Sequence, residues 1–270
     1  SLPNARYGTD EKVVGFFTRL DEHLRGVAGV SDVAGVSDLP LQSSGYTSDF
    51  TVQGWPAGTY GTEVTHTRIT PDYFRVMRTP LVAGRAFTTG DRANAPPVVI
   101  INEAFAKKHF KGEDPIGKHI AFDKSPDSTA TWSTIVGVVR SVHQTKLNLD
   151  PVIEVFEPLA QSPTTALTML LRTSGDPASL GPAVRRAVAE LDPMLGLESM
   201  ETVAAVRDVS LAEQRFLTTL LFLFASVGLA LAVVGVYGVM AQMARRRVRE
   251  MGIRLALGAQ ADEVRWLVVR

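Results

Sequence analysis

Residues Phe216–Met243 read FLTTLLFLFASVGLALAVVGVYGVMAQM, 28 residues without a charged side chain. At about 1.5 Å per residue a helix of this length extends roughly 42 Å, enough to cross a hydrocarbon layer of about 30 Å. A buried central helix of a soluble domain is the competing interpretation, but such helices rarely carry so long an apolar run and usually keep a polar stripe. Arg245, Arg246, Arg247 and Arg249 follow the run, whereas Arg215 alone borders it on the other side. The positive-inside rule therefore puts the C-terminal end in the cytoplasm and residues 1–215 outside. Three segments result: an outer domain (1–215), a transmembrane helix (216–243) and a cytoplasmic segment (244–270). Inside the span, Gly228 and Ala232 lie four apart, with Gly235 and Gly238 beyond them. Small residues on one stripe allow close helix packing, although glycine is also common in membrane helices generally. The span holds no Asp, Glu, Lys, Arg or His, and hence no proton relay or ion site of its own.

The rest of the composition mainly excludes. The chain has 270 residues, with 28 Lys/Arg and 28 Asp/Glu. Net charge is zero, so no global basic field exists to collect nucleic acid. From Phe216 onward there are 7 Lys/Arg to 3 Asp/Glu, and before it 21 to 25, so the two parts carry opposite charge. The absence of cysteine is compatible with either side of a membrane. No basic stretch followed by an apolar run precedes Val13, and Asp262–Arg270 has the pattern of a helix leading onward. These two features predict a segment of a longer protein.

The outer domain alternates helical and strand patterns. Asp10–Leu24, with Thr9 or Asp10 as N-cap, spaces Val13, Phe16, Phe17, Leu20 and Leu24 as one helical face. Strands are predicted at Val30–Val36, Phe50–Val52, Val64–Ile69, Val98–Ile101 and Thr134–Val139, and at HIAF, residues 119–122. Asn102 is placed to cap a helix from Glu103 to Phe110. Then follow strand Val152–Phe156, strand Leu167–Arg172, helix Pro177–Leu191, strand Leu197–Met200 and helix Thr202–Arg215, the last running into the span. Such alternation indicates an α+β or βαβ-layered domain.

Motifs that would carry chemistry are scarce. Gly112-Glu-Asp-Pro-Ile-Gly-Lys118 fits GxxxxGK, but His119 stands where Ser or Thr would hold magnesium, and a helix precedes where a strand is required. The bland reading is a Gly/Pro turn with a surface lysine. His23, His66, His109, His119 and His143 show no metal-ligand spacing. No GxSxG occurs, and Glu103 and Asp72 are indistinguishable from surface carboxylates. No catalytic residue, metal ligand or cofactor-binding residue is assigned.

The stretch Tyr237–Arg270, YGVMAQMARRRVREMGIRLALGAQADEVRWLVVR, resembles the FtsX-like permease family, the MacB-type ABC transporter membrane subunits. The resemblance lies in Tyr237-Gly238-Val239, Arg245-Arg246, Arg249-Glu250-Met251-Gly252-Ile253-Arg254 and Ala256-Leu257-Gly258-Ala259; Met251 replaces the commoner isoleucine. Pro71-Asp-Tyr-Phe, Gly84-Arg-Ala-Phe, Val99–Ala106, Asp114-Pro-Ile-Gly-Lys and Ile135-Val-Gly-Val-Val are similar to the MacB-type periplasmic core domain. The resemblance implies a porter-like βαβ subdomain with a mainly β insertion, at about residues 45–145. It also implies duplicated permeases, of which this form looks most like the second half.

Arg249, Glu250 and Arg254 fall on a short amphipathic segment in which Glu250 and Arg254 are i, i+4. Met251, Ile253, Leu255 and Leu257 offer apolar surface, and Gly252 and Gly258 permit close approach or a turn. Such a segment suits a groove on an ATPase; an interfacial helix with arginines at lipid phosphates fits the charges equally. The expected function is a non-catalytic permease subunit of an ABC-type transporter in the inner membrane. It would couple ATP hydrolysis by a cognate ABC ATPase to movement of the outer domain, moving a substrate by export or extraction. A second permease chain or repeat and an extracytoplasmic adaptor are further partners that the resemblance implies. The alternative is a single-pass anchored ligand-binding or sensor protein, and a membrane-anchored hydrolase is a third possibility requiring convergent reactive side chains in an outer cleft.

Overall fold

The computed structural model describes residues 1–40, 45–142, 152–197 and 199–256. The chain forms two units, Ser1–Asp208 and Val209–Arg270. The first is mixed α/β and is organised around a nine-stranded sheet.

Helix α1 (Asp10–Arg25) buries the five apolar residues expected of it, and Asp10 and Glu11 occupy the turn where the helix dipole favours acids. It ends at Gly26, whose N–H reaches Glu22 O and His23 O. Strand β1 (Val30–Val36) is covered on both faces. Val33 packs with α1 and with helix α4 (Gly181–Leu191), while Ala34 and Val36 pack with the short helix α2 (Tyr73–Met77). Strand β9 (Thr168–Thr173) lies antiparallel to β1. The N-terminal segment is tied to the end of α4 by Asp192, which accepts from Arg6 at 2.7 Å and from Tyr7 Oη at 2.9 Å.

Beyond β1 the sheet closes on itself. Strand β2 (Tyr46–Val52) pairs with β3 (Gly61–Ile69) on one edge and with β6 (His119–Ala121) on the other. The path continues through β7 (Ser133–Val139), β5 (Val98–Asn102) and β8 (Glu154–Pro158) back to β3. Six strands thus form a ring, with β4 (Leu81–Gly84) added alongside β7. Closure removes sheet edges that would otherwise be open to pairing. Inside the ring, Phe50, Val64, Ile101, Ile120, Ile135 and Val155 are fully buried, and Val98, Ile100 and Phe156 turn outward to the core shared with α2. Gly61 lies against Phe50; a Cβ there would come within 2.2 Å of the ring.

Helix α3 (Glu103–His109) closes one end. Asn102 caps it as expected, accepting from Phe105 N at 2.9 Å, and its amide also donates to Val152 O at 2.7 Å. Phe105, His109 and Trp55 stack around Phe50 with ring separations of 4.8, 5.0 and 5.9 Å.

Several expectations shift in detail. The strand at Val152–Phe156 forms two residues later, since Val152 O is taken by Asn102. The helix at Pro177–Leu191 opens as a 3-10 turn, Pro177–Leu180, capped by Asp176, before α4 begins. Of the strand expected at Leu197–Met200, the described residues Leu197, Ser199 and Met200 are not in a strand, and Glu198 lies outside the described residues. Leu197 and Met200 are about 40% exposed, and no strand pairs with them among the described residues. Helix α2 and strand β4 have no counterpart among the predicted elements.

Helix α5 (Val203–Ala256) has 54 residues, and Thr202 Oγ1 accepts from Ala205 N at its start. Its portion Leu217–Arg249 is long and apolar enough to cross a membrane; the most apolar 18 residues within it have a mean hydropathy of 2.5 and none of them is buried. Residues 244–256 continue the same helix without a break.

Candidate functional site

At the end of the ring opposite α3, the inward-facing apolar layer gives way to polar residues. His66 on β3 follows Val64, Ser48 on β2 faces Val64 across the pair, and Glu157 on β8 follows Val155. Phe122, just past β6, and Ser133 on β7 complete this layer. Alternation along each strand sends all of these side chains to one side, and the strand directions bring them to one mouth.

His66 is the hub, with its side chain only 4% exposed. Its Nδ1 lies 2.8 Å from Glu157 Oε2 and its Nε2 lies 2.7 Å from Ser48 Oγ. Both ring nitrogens are thus partnered, and the Ser48 hydroxyl also lies 3.2 Å from Asp49 O, to which it donates. Phe122 packs edge-on to the imidazole at 4.4 Å, and Tyr46 lies at 5.3 Å on the rim.

Over this layer opens a cleft of about 370 Å³ lined by Glu157, Phe122, Asp123, Ser133, Pro97 and Pro158, among others. Glu157 faces both His66 and the cleft. Hydroxyl, imidazole and carboxylate occur in the order of a nucleophilic relay. Ser48, however, is not among the lining residues, so the group presented to a ligand is the Glu157 carboxylate and not the serine. Arg68 stands at the margin, its Nε donating to Ser162 Oγ at 3.0 Å.

The other candidates occupy structural roles. Lys118 of the GxxxxGK segment pairs with Glu113, and its Nζ lies 5.7 Å from the Phe110 ring centre. Gly112 and Gly117 take positive φ in the turn between α3 and β6. Asp72 joins Arg25 and Arg75, and Glu103 lies 3.9 Å from Lys107. His23 bonds Arg19 O one turn back. His109 sits among the aromatic rings, and burial, followed by the Lys108 charge, holds its pKa below the usual imidazole value. His143 lies outside the described residues. Among the described residues no group of three or more His, Cys, Asp or Glu converges as a metal site.

On α5, Gly228, Ala232, Gly235 and Gly238 are exposed, and a Cβ on any of the three glycines would meet nothing within 4 Å. Arg245, Arg246, Arg247, Arg249 and Ile253 are also exposed. Glu250, Met251, Gly252 and Arg254 belong to the same helix, and Leu257 and Gly258 lie outside the described residues. The mouth residues are not legible in the sequence because His66 is 18 positions from Ser48 and 91 from Glu157. The one local signal is a histidine in the inward phase of a β-branched strand, VTHTRI.

A family model described as MacB-like periplasmic core domain matches residues 11–187. The macrolide export ATP-binding/permease protein MacB of Rhodospirillum rubrum is 28% identical over 273 residues, covering 95% of this chain and 38% of its own length. The protein of the same name from Neisseria meningitidis serogroup A is 26% identical over 238 residues, covering 84% of this chain and 34% of its own. The pyoverdine export ATP-binding/permease protein PvdT of Pseudomonas syringae is 23% identical over 253 residues, covering 89% and 37%. The chain thus spans little more than a third of the length of these relatives. Among solved structures, the periplasmic region of MacB from Actinobacillus actinomycetemcomitans aligns with a TM-score of 0.47 at 17% identity, covering 64% of this chain and 73% of that one.

Proposed function

Because the chain belongs to the family of MacB-like periplasmic core domains, we propose that it serves as part of a non-catalytic permease of an ABC-type transporter in the inner membrane. The observation that carries this reading is the succession of a matched core domain and an exposed apolar helix long enough to span a bilayer. Water would not tolerate so many exposed Leu, Val and Phe side chains on one helix, whereas lipid would. The arginines at 245–249 put the far end of that helix in the cytoplasm by the positive-inside rule, and the core domain outside.

In this reading ATP is hydrolysed by a separate or appended ATPase, and the chain transmits motion. Residues 249–258, namely Arg249, Glu250, Met251, Gly252, Ile253, Arg254, Leu257 and Gly258, engage a groove on that ATPase. The unbroken course of α5 from Val203 to Ala256 supports such a role, since an α-helix resists axial compression along its hydrogen-bonded ladder. Gly228, Ala232, Gly235 and Gly238 form the face that admits a second membrane helix, from another repeat or another permease chain. The outer unit divides functionally into a porter-like part carrying α1 and α4 and an insertion at about residues 45–145 that supplies most of the ring.

The test is reconstitution of the complete permease with its ATPase in lipid. Arg249→Glu together with Arg254→Glu is expected to lower permease-stimulated ATP hydrolysis by at least about tenfold while leaving the core domain folded. Unchanged stimulation would remove the coupling assignment, and a complete permease that neither binds nor stimulates any ABC ATPase would remove the whole reading.

A further inference from the structure

The open mouth of the ring is built unlike the rest of the outer unit. Everywhere else the interior of the ring is apolar and sealed, with Phe105, His109 and Trp55 closing the far end. Here a carboxylate with its side chain 16% exposed is aimed at a cleft, and its partner is a histidine exposed to only 4%. Glu157 has one hydrogen bond, from His66 to Oε2, and Oε1 accepts from no donor among the described residues. The lone pairs of Oε1 face the cleft, where a cationic donor is the strongest partner a carboxylate can take.

The surroundings agree in sign. Asp123 also lines the cleft, and no lysine, arginine or histidine does. Arg68 is directed to Ser162 at the margin and makes no ion pair with Glu157. His66 is engaged at both ring nitrogens, by Glu157 and by Ser48, and does not itself line the cleft. Phe122, Pro97, Pro158 and Ala121 supply an apolar wall, and the cleft volume of about 370 Å³ falls within the range of small-molecule pockets, roughly 300–1,000 Å³. Mouths of β-barrels are among the recurrent places for such pockets.

We propose that the open mouth of the ring binds an organic ammonium ion, with the charged nitrogen on Glu157 Oε1 and the apolar body against Phe122. His66 is a positioning residue: it holds Oε2 and turns Oε1 to the cleft. The inference does not depend on any engagement of an ATPase.

The test uses the full chain in detergent micelles with 15N-labelled histidine. Phenethylamine, 2-phenylethanol and 3-phenylpropionate present the same ring with a positive, neutral and negative end. The His66 imidazole resonance, assigned by its loss in His66→Gln, is expected to shift saturably with the amine and not with the alcohol or the acid. His23 and His119 serve as references for partition into the micelle. Glu157→Gln keeps an acceptor for His66 Nδ1 and removes the charge; it is expected to weaken the amine by about tenfold or more, the scale of a lost charge-assisted hydrogen bond. Should that variant lose its folded spectrum, Asp123→Asn provides the second measurement, with an expected weakening of about threefold from a more distant charge. Equal shifts from amine and alcohol, a preference for the acid, or wild-type amine binding by Glu157→Gln or by a folded Asp123→Asn would each overturn the proposal.

Discussion

The two ends of the strand ring are made from the same six strands and differ in the connections that leave them. Strand β5 runs directly into α3, which brings Phe105, His109 and Phe110 back over the interior. At the other end β6 and β8 leave into irregular connections and β3 into α2, which packs with β1 and Phe156 on the outward core and not over the mouth. One end is therefore finished by aromatic packing and the other by a hydrogen-bonded layer, Ser48–His66–Glu157, beneath a cleft. The difference shows where stability is stored and where chemistry can be placed: a sealed aromatic end tolerates little change, whereas a polar mouth can vary at small cost to the fold.

That contrast is tested most sharply by paired truncations. Phe105→Ala, at a residue with no exposed surface, is expected to cost about 3–5 kcal/mol, whereas Phe122→Ala at the half-buried mouth should cost about half as much. Thermal unfolding of the full chain, followed by near-UV circular dichroism, compares them; equal losses would mean that the two ends are equivalent. A smaller effect is expected from Gly61→Ala. Its Cβ would meet the Phe50 ring at 2.2 Å and force the β2–β3 seam apart, costing about 1–3 kcal/mol. Stability unaffected by this change would show that Phe50 can leave its place in the interior freely.

Acid should find the sealed end as well. His109 is held below its ordinary pKa of 6.5 by burial and by Lys108, so the folded chain takes up the proton less readily than the unfolded one. The resulting stability is present in full above about pH 6.5 and declines as the pH falls through that value toward the lower folded pKa. His109→Phe is expected to flatten this part of the pH–stability curve; an unchanged slope between about pH 7 and pH 5 would assign the acid sensitivity to other groups.

Much of the architecture is legible in the residues. Helix α1 can be read because Val13, Phe16, Phe17, Leu20 and Leu24 share one face, and α3 because Asn102 precedes a helical run. Strands β1, β5 and β7 stand out as β-branched segments between turns. Local pattern fails where a partner decides. Leu197–Met200 has the composition of a strand, but its described residues, Leu197, Ser199 and Met200, have no strand neighbour among the described residues. Helix α2, five residues long, is too short to be stable by its own propensity and exists because Tyr73, Phe74 and Val76 are buried against β1 and Phe156.

The candidate site is the least legible part. A lone histidine in VTHTRI cannot be distinguished from a solvated one, since Glu157 reaches it from 91 residues away across a parallel pairing of β3 with β8. Composition and order by themselves determined the membrane-length helix, its charge asymmetry and the alternating α+β character of the outer part. These depend on free energies of transfer and on periodicities contained within a few turns of chain. Tertiary structure alone decided that β2 bridges β3 and β6 to close a ring, which end α3 covers, and that Ser48, His66 and Glu157 meet at the end left open. Those outcomes depend on long-range pairing, whose register is set by which side chains fit together inside, and no local window of sequence contains that information.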